Sequence, residues 1–199
     1  MSLAAELLEA GCLCGDCGAT LDAPTGFPTV CEGCQETDQT RPFQLLALDV
    51  ASTTGWARAV GEEITSGVVK LRCRTRQKVR EPRGAKFSQL RAWLDEQEIP
   101  DRLVIERAGH FKSAAAAETI HGLLAIVEAW AYDHAIPLEY LSPGTIKKHA
   151  TGKGNADKAA MITAARERWP GVELADDNEA DARHIADCYL FRRGDLREV

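Results

Sequence analysis

The stretch Phe43-Gln44-Leu45-Leu46-Ala47-Leu48-Asp49 is a short apolar run ending in an acid, followed by Ser52-Thr53-Thr54-Gly55 and then by Trp56-Ala57-Arg58-Ala59-Val60. Seven residues are too few for a helix with a buried face, and turn-forming residues follow at once, so the reading is a buried strand, a turn and a second strand. Ile64 to Arg74 reads as a third strand, which makes an antiparallel meander. Downstream the pattern changes. Phe87, Leu90, Trp93 and Leu94 recur at helical spacing within Phe87 to Glu98, and Arg102-Leu103-Val104-Ile105-Glu106 is again an apolar run closed by an acid. Ser113 is placed to cap a long helix reaching about His134, and Pro137 to Leu141 reads as another strand. Thr145 to Ala150, Ala156 to Arg168 and Asp177 to Arg192 read as helices. Strands first, then strands alternating with helices, predict an α/β fold in which a mixed sheet is flanked by helices.

The 199 residues are 45% hydrophobic and 27% charged, enough apolar material for one sizeable core. The longest apolar stretches stop well short of about 20 residues, so no membrane span is expected. The first residues show neither a basic n-region nor a cleavage site, which leads us to expect an intracellular (cytoplasmic) protein with reduced cysteines or metal-bound ones.

The net charge of -6 is unevenly spread. Residues 1–40 contain no Lys or Arg, and residues 41–199 are close to neutral. Within that second part, Lys70, Arg72, Arg74, Arg76, Lys78, Arg80, Arg83 and Lys86 are opposed by Glu81 alone. Polyphosphate attraction follows local charge density, so this stretch is a candidate DNA contact despite the acidic total. A charged edge strand that deters aggregation is the other reading. Alternation places Arg72, Arg74 and Arg76 on one face if the third strand runs that far.

Cys14-Gly15-Asp16-Cys17 and Cys31-Glu32-Gly33-Cys34 form two CxxC pairs. Two residues between thiolates let a tight turn aim both sulfurs at one ion, and two such turns complete a tetrahedron suited to Zn(II). The pattern resembles a zinc ribbon. A closed four-cysteine site is structural, and the absence of basic residues nearby favours a protein contact over direct DNA binding. With a short helix over Met1 to Ala10 and a polar linker ending at Pro42, this defines a module over residues 1–40, ahead of the larger domain at 41–199. Cys73 and Cys188 stand apart as packing residues or free thiols.

Asp49 and Glu106 each close an apolar strand, and Asp176-Asp177-Asn178-Glu179-Ala180-Asp181 opens the last helix. Asp177 and Asp181, four apart, share a helix face. Carboxylates brought together repel one another unless a cation lies between them. With no His or Cys beside them, such oxygen ligands favour Mg(II) or Mn(II), and two such ions promote phosphodiester hydrolysis. Taken singly, each acid is equally a turn residue or an N-cap.

Leu46-Ala47-Leu48-Asp49-Val50-Ala51-Ser52-Thr53-Thr54-Gly55-Trp56-Ala57 resembles the opening motif of RuvC-type Holliday-junction resolvases, particularly their bacteriophage-like branch. Val104-Ile105-Glu106 resembles their second acidic motif. Lys147 to Lys158 is similar to their lysine-bearing, glycine-containing loop and following helix, and Glu179-Ala180-Asp181-Ala182 to their closing motif. The order and spacing match over roughly residues 43–193. The resemblance implies an RNase H-like fold and a metal-dependent endonuclease. It also implies a homodimer whose subunits each nick one strand of branched DNA, with a place in recombination and repair. Asp49, Glu106 and Asp181 become metal ligands, and Lys147 and Lys158 become phosphate or transition-state contacts. Where the family has a further acid or His, this chain has Asn178, which cannot act as a base; Asp177 beside it is taken as the fourth ligand.

The loop after Glu106 carries Arg107, His110, Phe111 and Lys112, and the later loop carries Lys153; of these Phe111, Lys112 and Lys153, with Lys147, are candidate DNA contacts. Phe111 either stacks on an unpaired base or anchors a helix in the core. His184, three residues after Asp181, is placed to face the site. The added ribbon sets the chain apart from compact resolvases, leaves room for a protein partner, and fits a phage or mobile element as well as a cell. Two alternatives have other signatures. Because of Asn178, a non-catalytic branched-DNA-binding or adaptor protein on the same fold is one. A sugar-kinase-like ATPase is the other, and it would need a second phosphate-binding turn and a duplicated domain.

Overall fold

The computed structural model describes residues 41–72, 83–107, 109, 111 and 113–194. The four ribbon cysteines, the helix over Met1 to Ala10, Cys73, Arg74, Arg76, His110 and Lys112 lie outside the described residues. Contacts divide the chain after Pro42, and everything below belongs to the unit that starts at Phe43.

Five strands form one mixed sheet: β1 (Gln44–Asp49), β2 (Thr53–Val60), β3 (Glu63–Lys70), β4 (Arg102–Glu106) and β5 (Leu138–Leu141). Their order across the sheet is β3-β2-β1-β4-β5, with β1–β2 and β2–β3 antiparallel and β1–β4 and β4–β5 parallel. The helices are α1 (Arg83–Asp95), α2 (Ala114–Asp133), α3 (Pro143–Thr151), α4 (Lys158–Arg168) and α5 (Asp177–Arg193).

β1 is central and covered on both faces, which is why it reads as an unbroken apolar run and not an alternating one. Leu45 and Ala47 join Val104 of β4 and Ala182, Ile185 and Ala186 of α5 in one core. Leu46 and Leu48 join Leu103, Ile105, Leu90 and Leu94 of α1, and Leu123 and Val127 of α2 in the other. The sheet therefore carries α1 and α2 on one face and α5, with Ile146 of α3 and Met161 of α4, on the other.

Several sequence expectations shift at their edges. The expected turn over Ser52 to Gly55 is shorter, because β2 already begins at Thr53. The buried Thr54 hydroxyl closes the turn: it donates to the Ala51 carbonyl at 2.6 Å and accepts from the Ala51 N–H at 3.3 Å. β3 ends at Lys70, not Arg74, although the Leu71 N–H still bonds the Ser52 carbonyl at 2.9 Å and the Leu71 side chain packs in the same core as Val69. Arg72 thus lies beyond β3. In the β2–β3 hairpin, Gly61 adopts φ 60°, a conformation glycine enters without a Cβ penalty. Ser113 caps α2 as expected, accepting from the Ala116 N–H at 3.2 Å, and the helix closes at His134.

Candidate functional site

Strand alternation sets the direction of two acids. Asp49 continues the Leu45, Ala47 series and Glu106 continues Val104, so both leave the sheet on the α5 side. Parallel pairing of Leu48 with Ile105 brings the two strand ends level. Asp181 comes from the opposite direction, on the second turn of α5.

Gly55 makes that approach possible. It pairs with Asp49 across β1–β2, and a Cβ built on it would lie 1.9 Å from the Asn178 carbonyl oxygen. The first turn of α5 rests on bare backbone, where any side chain would hold it off. Asp176 is the N-cap of α5, its Oδ1 accepting from the Asn178 and Glu179 N–H groups at 3.0 and 3.2 Å. Of the two acids read as capping or ligating, the cap is Asp176, and Asp177 is left to the site.

The acids lie within electrostatic range of one another. Burial, then the charges of Asp181, Glu106, Asp177 and Asp176, raise the Asp49 carboxyl to about 8. Burial and Asp181 raise Glu106 to about 7, against a lowering by Lys147. Burial and Asp177 raise Asp181 to about 6, with Lys158 and Lys147 opposing. Asp177 is held below the usual carboxylate range by its bond to Lys158. Lys147 of α3 and Lys158 of α4 therefore both border the acids, Lys158 already paired with Asp177. Among the described residues, no three carboxylate, imidazole or thiol groups are gathered to ligand distance.

Asp49 and Glu106 line a cleft of about 170 Å³ together with Arg107 and Phe111. The half-buried Phe111 ring meets His121 edge-on at 5.0 Å, which places Phe111 at the cleft and outside both cores. Lys153 is exposed in the α3–α4 loop. His184 does not face the acids as expected. It is buried, its Nε2 lies 3.0 Å from the Met161 carbonyl oxygen, and its ring packs on Trp169, because α4 covers that turn of α5. Cys188 is a buried thiol pushed up to about 11 by burial, so it is a packing residue.

Sequence reading missed a polar link that fixes α5 to β3. Buried Arg183 donates through Nε to the Ser66 hydroxyl at 2.5 Å and through Nη2 to the Ile64 carbonyl at 2.9 Å. The Ser66 hydroxyl donates to Glu179 Oε1 at 2.5 Å, and Glu179 Oε2 accepts from the Ala175 N–H at 2.8 Å. Only the i, i+4 spacing of Glu179 and Arg183 could have signalled it. Removing one member leaves the other charge buried. Arg183→Ala should therefore cost about 3–5 kcal/mol in denaturant unfolding, and adding Glu179→Gln should recover part of that loss in a double-mutant cycle.

The crossover junction endodeoxyribonuclease RuvC of Corynebacterium diphtheriae is 33% identical to this chain over 126 residues, 57% of this chain and 75% of its own length. The chain belongs to the RuvC family. A second RuvC, from Nocardia farcinica, is 33% identical over 105 residues, and the chain spans about half of that relative's length, 53%. No family model matches the chain. The RuvC fold is also shared with solved structures. Thermus thermophilus RuvC aligns with TM-score 0.59 and 17% identity over 79% of this chain and 100% of its own. The same protein in complex with a Holliday junction substrate gives 0.60 and 18%, over 79% and 99%. The yeast mitochondrial Holliday junction resolvase Ydc2 gives 0.54 and 15%, over 80% and 82%. Among the described residues no helix is long and apolar enough to cross a membrane.

Proposed function

We propose that this RuvC-family chain is a metal-dependent endonuclease that nicks Holliday junctions or similarly branched DNA. The observation that carries the reading is the electrostatic coupling of the acids: burial raises all three carboxyls, Asp181 further raises Asp49 and Glu106, and Asp177 further raises Asp181, although the groups stand short of ligand distance. Such a donor set fits hard divalent cations, because bound positive charge relieves that mutual repulsion. Asp49, Glu106 and Asp181 would hold Mg(II) or Mn(II), with Asp177 as a fourth ligand once Lys158 turns from it to the DNA. When bound, two such ions supply the Lewis-acid charge that activates water and offsets the charge developing on the phosphodiester.

The chain's own groups do the rest. Lys147 faces the acids and is placed to neutralise the scissile phosphate as it approaches a negative site. Phe111, at the cleft, offers a flat surface for an unpaired base, which branched DNA supplies. Arg72, Lys153 and, outside the described residues, Arg74, Arg76 and Lys112 extend the contact to flanking phosphates. Pairing of two copies would place one cleft on each of two strands. Cys14, Cys17, Cys31 and Cys34 would hold a structural Zn(II) in a ribbon that meets a protein partner, a departure that fits the bacteriophage-like branch.

Incubation of the full chain with a synthetic four-way junction and Mg(II) or Mn(II) should give paired nicks, abolished by a chelator. A protein inert on junctions, flaps and single strands under both metals would overturn the assignment. If such an inert protein still bound junctions in a salt-sensitive, metal-independent way, the non-catalytic reading motivated by Asn178 would replace it.

A further inference from the structure

Lys147 and Lys148 are neighbours on α3 and so project about 100° apart. Lys147 serves the acids. Lys148 lines a second cavity, of about 930 Å³, that shares no lining residue with the acidic cleft. Its wall contains Asp187, only 4% exposed, whose two oxygens are both engaged. Oδ2 lies 2.7 Å from His149 Nε2, and Oδ1 accepts from Arg168 Nη2 and Nε at 3.1 and 3.3 Å. Burial by itself raises this carboxyl, but the His149 bond and the Arg168 charge outweigh it, so it stays an anion.

A buried carboxylate that fixes an imidazole and a guanidinium can be a staple between α3, α4 and α5. A staple, however, requires nothing of Lys148, Arg192 or Phe191, and all three border the same open cavity. Lys148 and Arg192 bring two more cations, Arg192 sitting 3.4 Å from Glu139. The Phe191 ring lies 5.0 Å from the His149 ring and gives the cavity an aromatic wall. Oriented cationic donors beside an aromatic face, in an open space roomy enough for a nucleotide, match a phosphate and a base together.

We infer that this cavity binds one nucleotide of the DNA substrate, on a different strand segment from the one at the acids. Its phosphate meets Lys148, Arg168 and Arg192, and its base lies against Phe191. The nucleotide chemistry stands on the cavity alone, while its source in branched DNA rests on the proposed nuclease function.

The test has two arms. First, a 5′-phosphorylated thymidine dinucleotide is titrated by calorimetry into the full chain without divalent metal. Second, a labelled four-way junction is titrated against Asp49→Asn protein at several salt concentrations. Lys148→Ala combined with Arg192→Ala leaves the Asp187 contacts in place, and unchanged thermal unfolding verifies the fold. This double variant should weaken dinucleotide binding at least about tenfold, raise the junction Kd about tenfold, and lower the log–log salt slope by about 1–2. Phe191→Leu should weaken both ligands about five- to tenfold with the slope unchanged. No dinucleotide binding together with an unchanged junction slope would overturn the site. Dinucleotide binding with an unchanged junction slope would make it a free-nucleotide site and overturn the DNA-strand assignment. Dinucleotide binding in a protein that never nicks junctions would keep the cavity and sink the nuclease reading instead.

Discussion

Asp49→Asn should abolish junction nicking, by at least about 1,000-fold or some 4 kcal/mol of barrier, while leaving junction binding in place. Of the three carboxyls that of Asp49 is the furthest displaced, from an ordinary 3.8 to about 8, by burial first and then by the neighbouring acids. The amide keeps the shape and loses the charge that would hold a cation. The same substitution should stabilise the metal-free protein. With the folded carboxyl raised, the native state binds more protons than the unfolded chain between about pH 4 and 8, so native stability falls as pH rises through that window. Asn removes that slope. At pH 8 the variant should be more stable by a few kcal/mol, and at pH 4 the two proteins should unfold alike. Denaturant titrations at both pH values, with chelator, measure this directly. Equal stability at pH 8 would show that neither burial nor the neighbouring acids penalise the Asp49 charge. The shared shift also requires that the apparent Mg(II) affinity of the unaltered chain rise between pH 6 and 8, since ligands must shed protons first.

Gly55→Ala is expected to slow nicking about 100-fold without touching a charge. The added methyl would fall 1.9 Å from the Asn178 carbonyl oxygen, so α5 must move off β2. Overpacking of this kind costs about 1–3 kcal/mol. A shift of about 1 Å at the first turn of α5 carries Asp177 and Asp181 with it, and a misplacement of that size can cost about 100-fold in rate. The measurement is nicking rate alongside thermal unfolding. A variant that unfolds normally and cuts at the normal rate would rule out the close approach of helix and strand. Metal affinity should fall in Gly55→Ala, whereas the Lys148 and Arg192 variant has no reason to change it.

How far the residues announced these features depends on how local the cause is. The central strand was legible because burial on both faces leaves an unbroken apolar run ending at Asp49. Ser113 announced α2 because a cap is a local hydrogen bond. Asp49, Glu106 and the Asp177–Asp181 pair were each visible at an element's edge, but their meeting is a property of strand order and of the α5 face. Gly55 was misread as part of a turn, since nothing within a few residues reveals that a distant helix lies on it. The end of β3 falls earlier than expected because the alternating charges run on past Lys70, and charge alternation does not mark where a strand stops. His184 was pointed at the site by spacing alone, and the covering helix α4 decides otherwise. The Ser66–Arg183 link and the Asp187 cavity join elements far apart in sequence, and beyond the i, i+4 spacing of Glu179 and Arg183 no local pattern marks them.

The three acids stand at positions 49, 106 and 181, and the last arrives on the helix that also completes one whole core of the sheet. A growing polypeptide that has not yet reached α5 has neither its third acid nor the cover that makes the other two reluctant to ionise. On the proposed reading, a product ending before that helix should fold no complete acid cluster and leave DNA uncut.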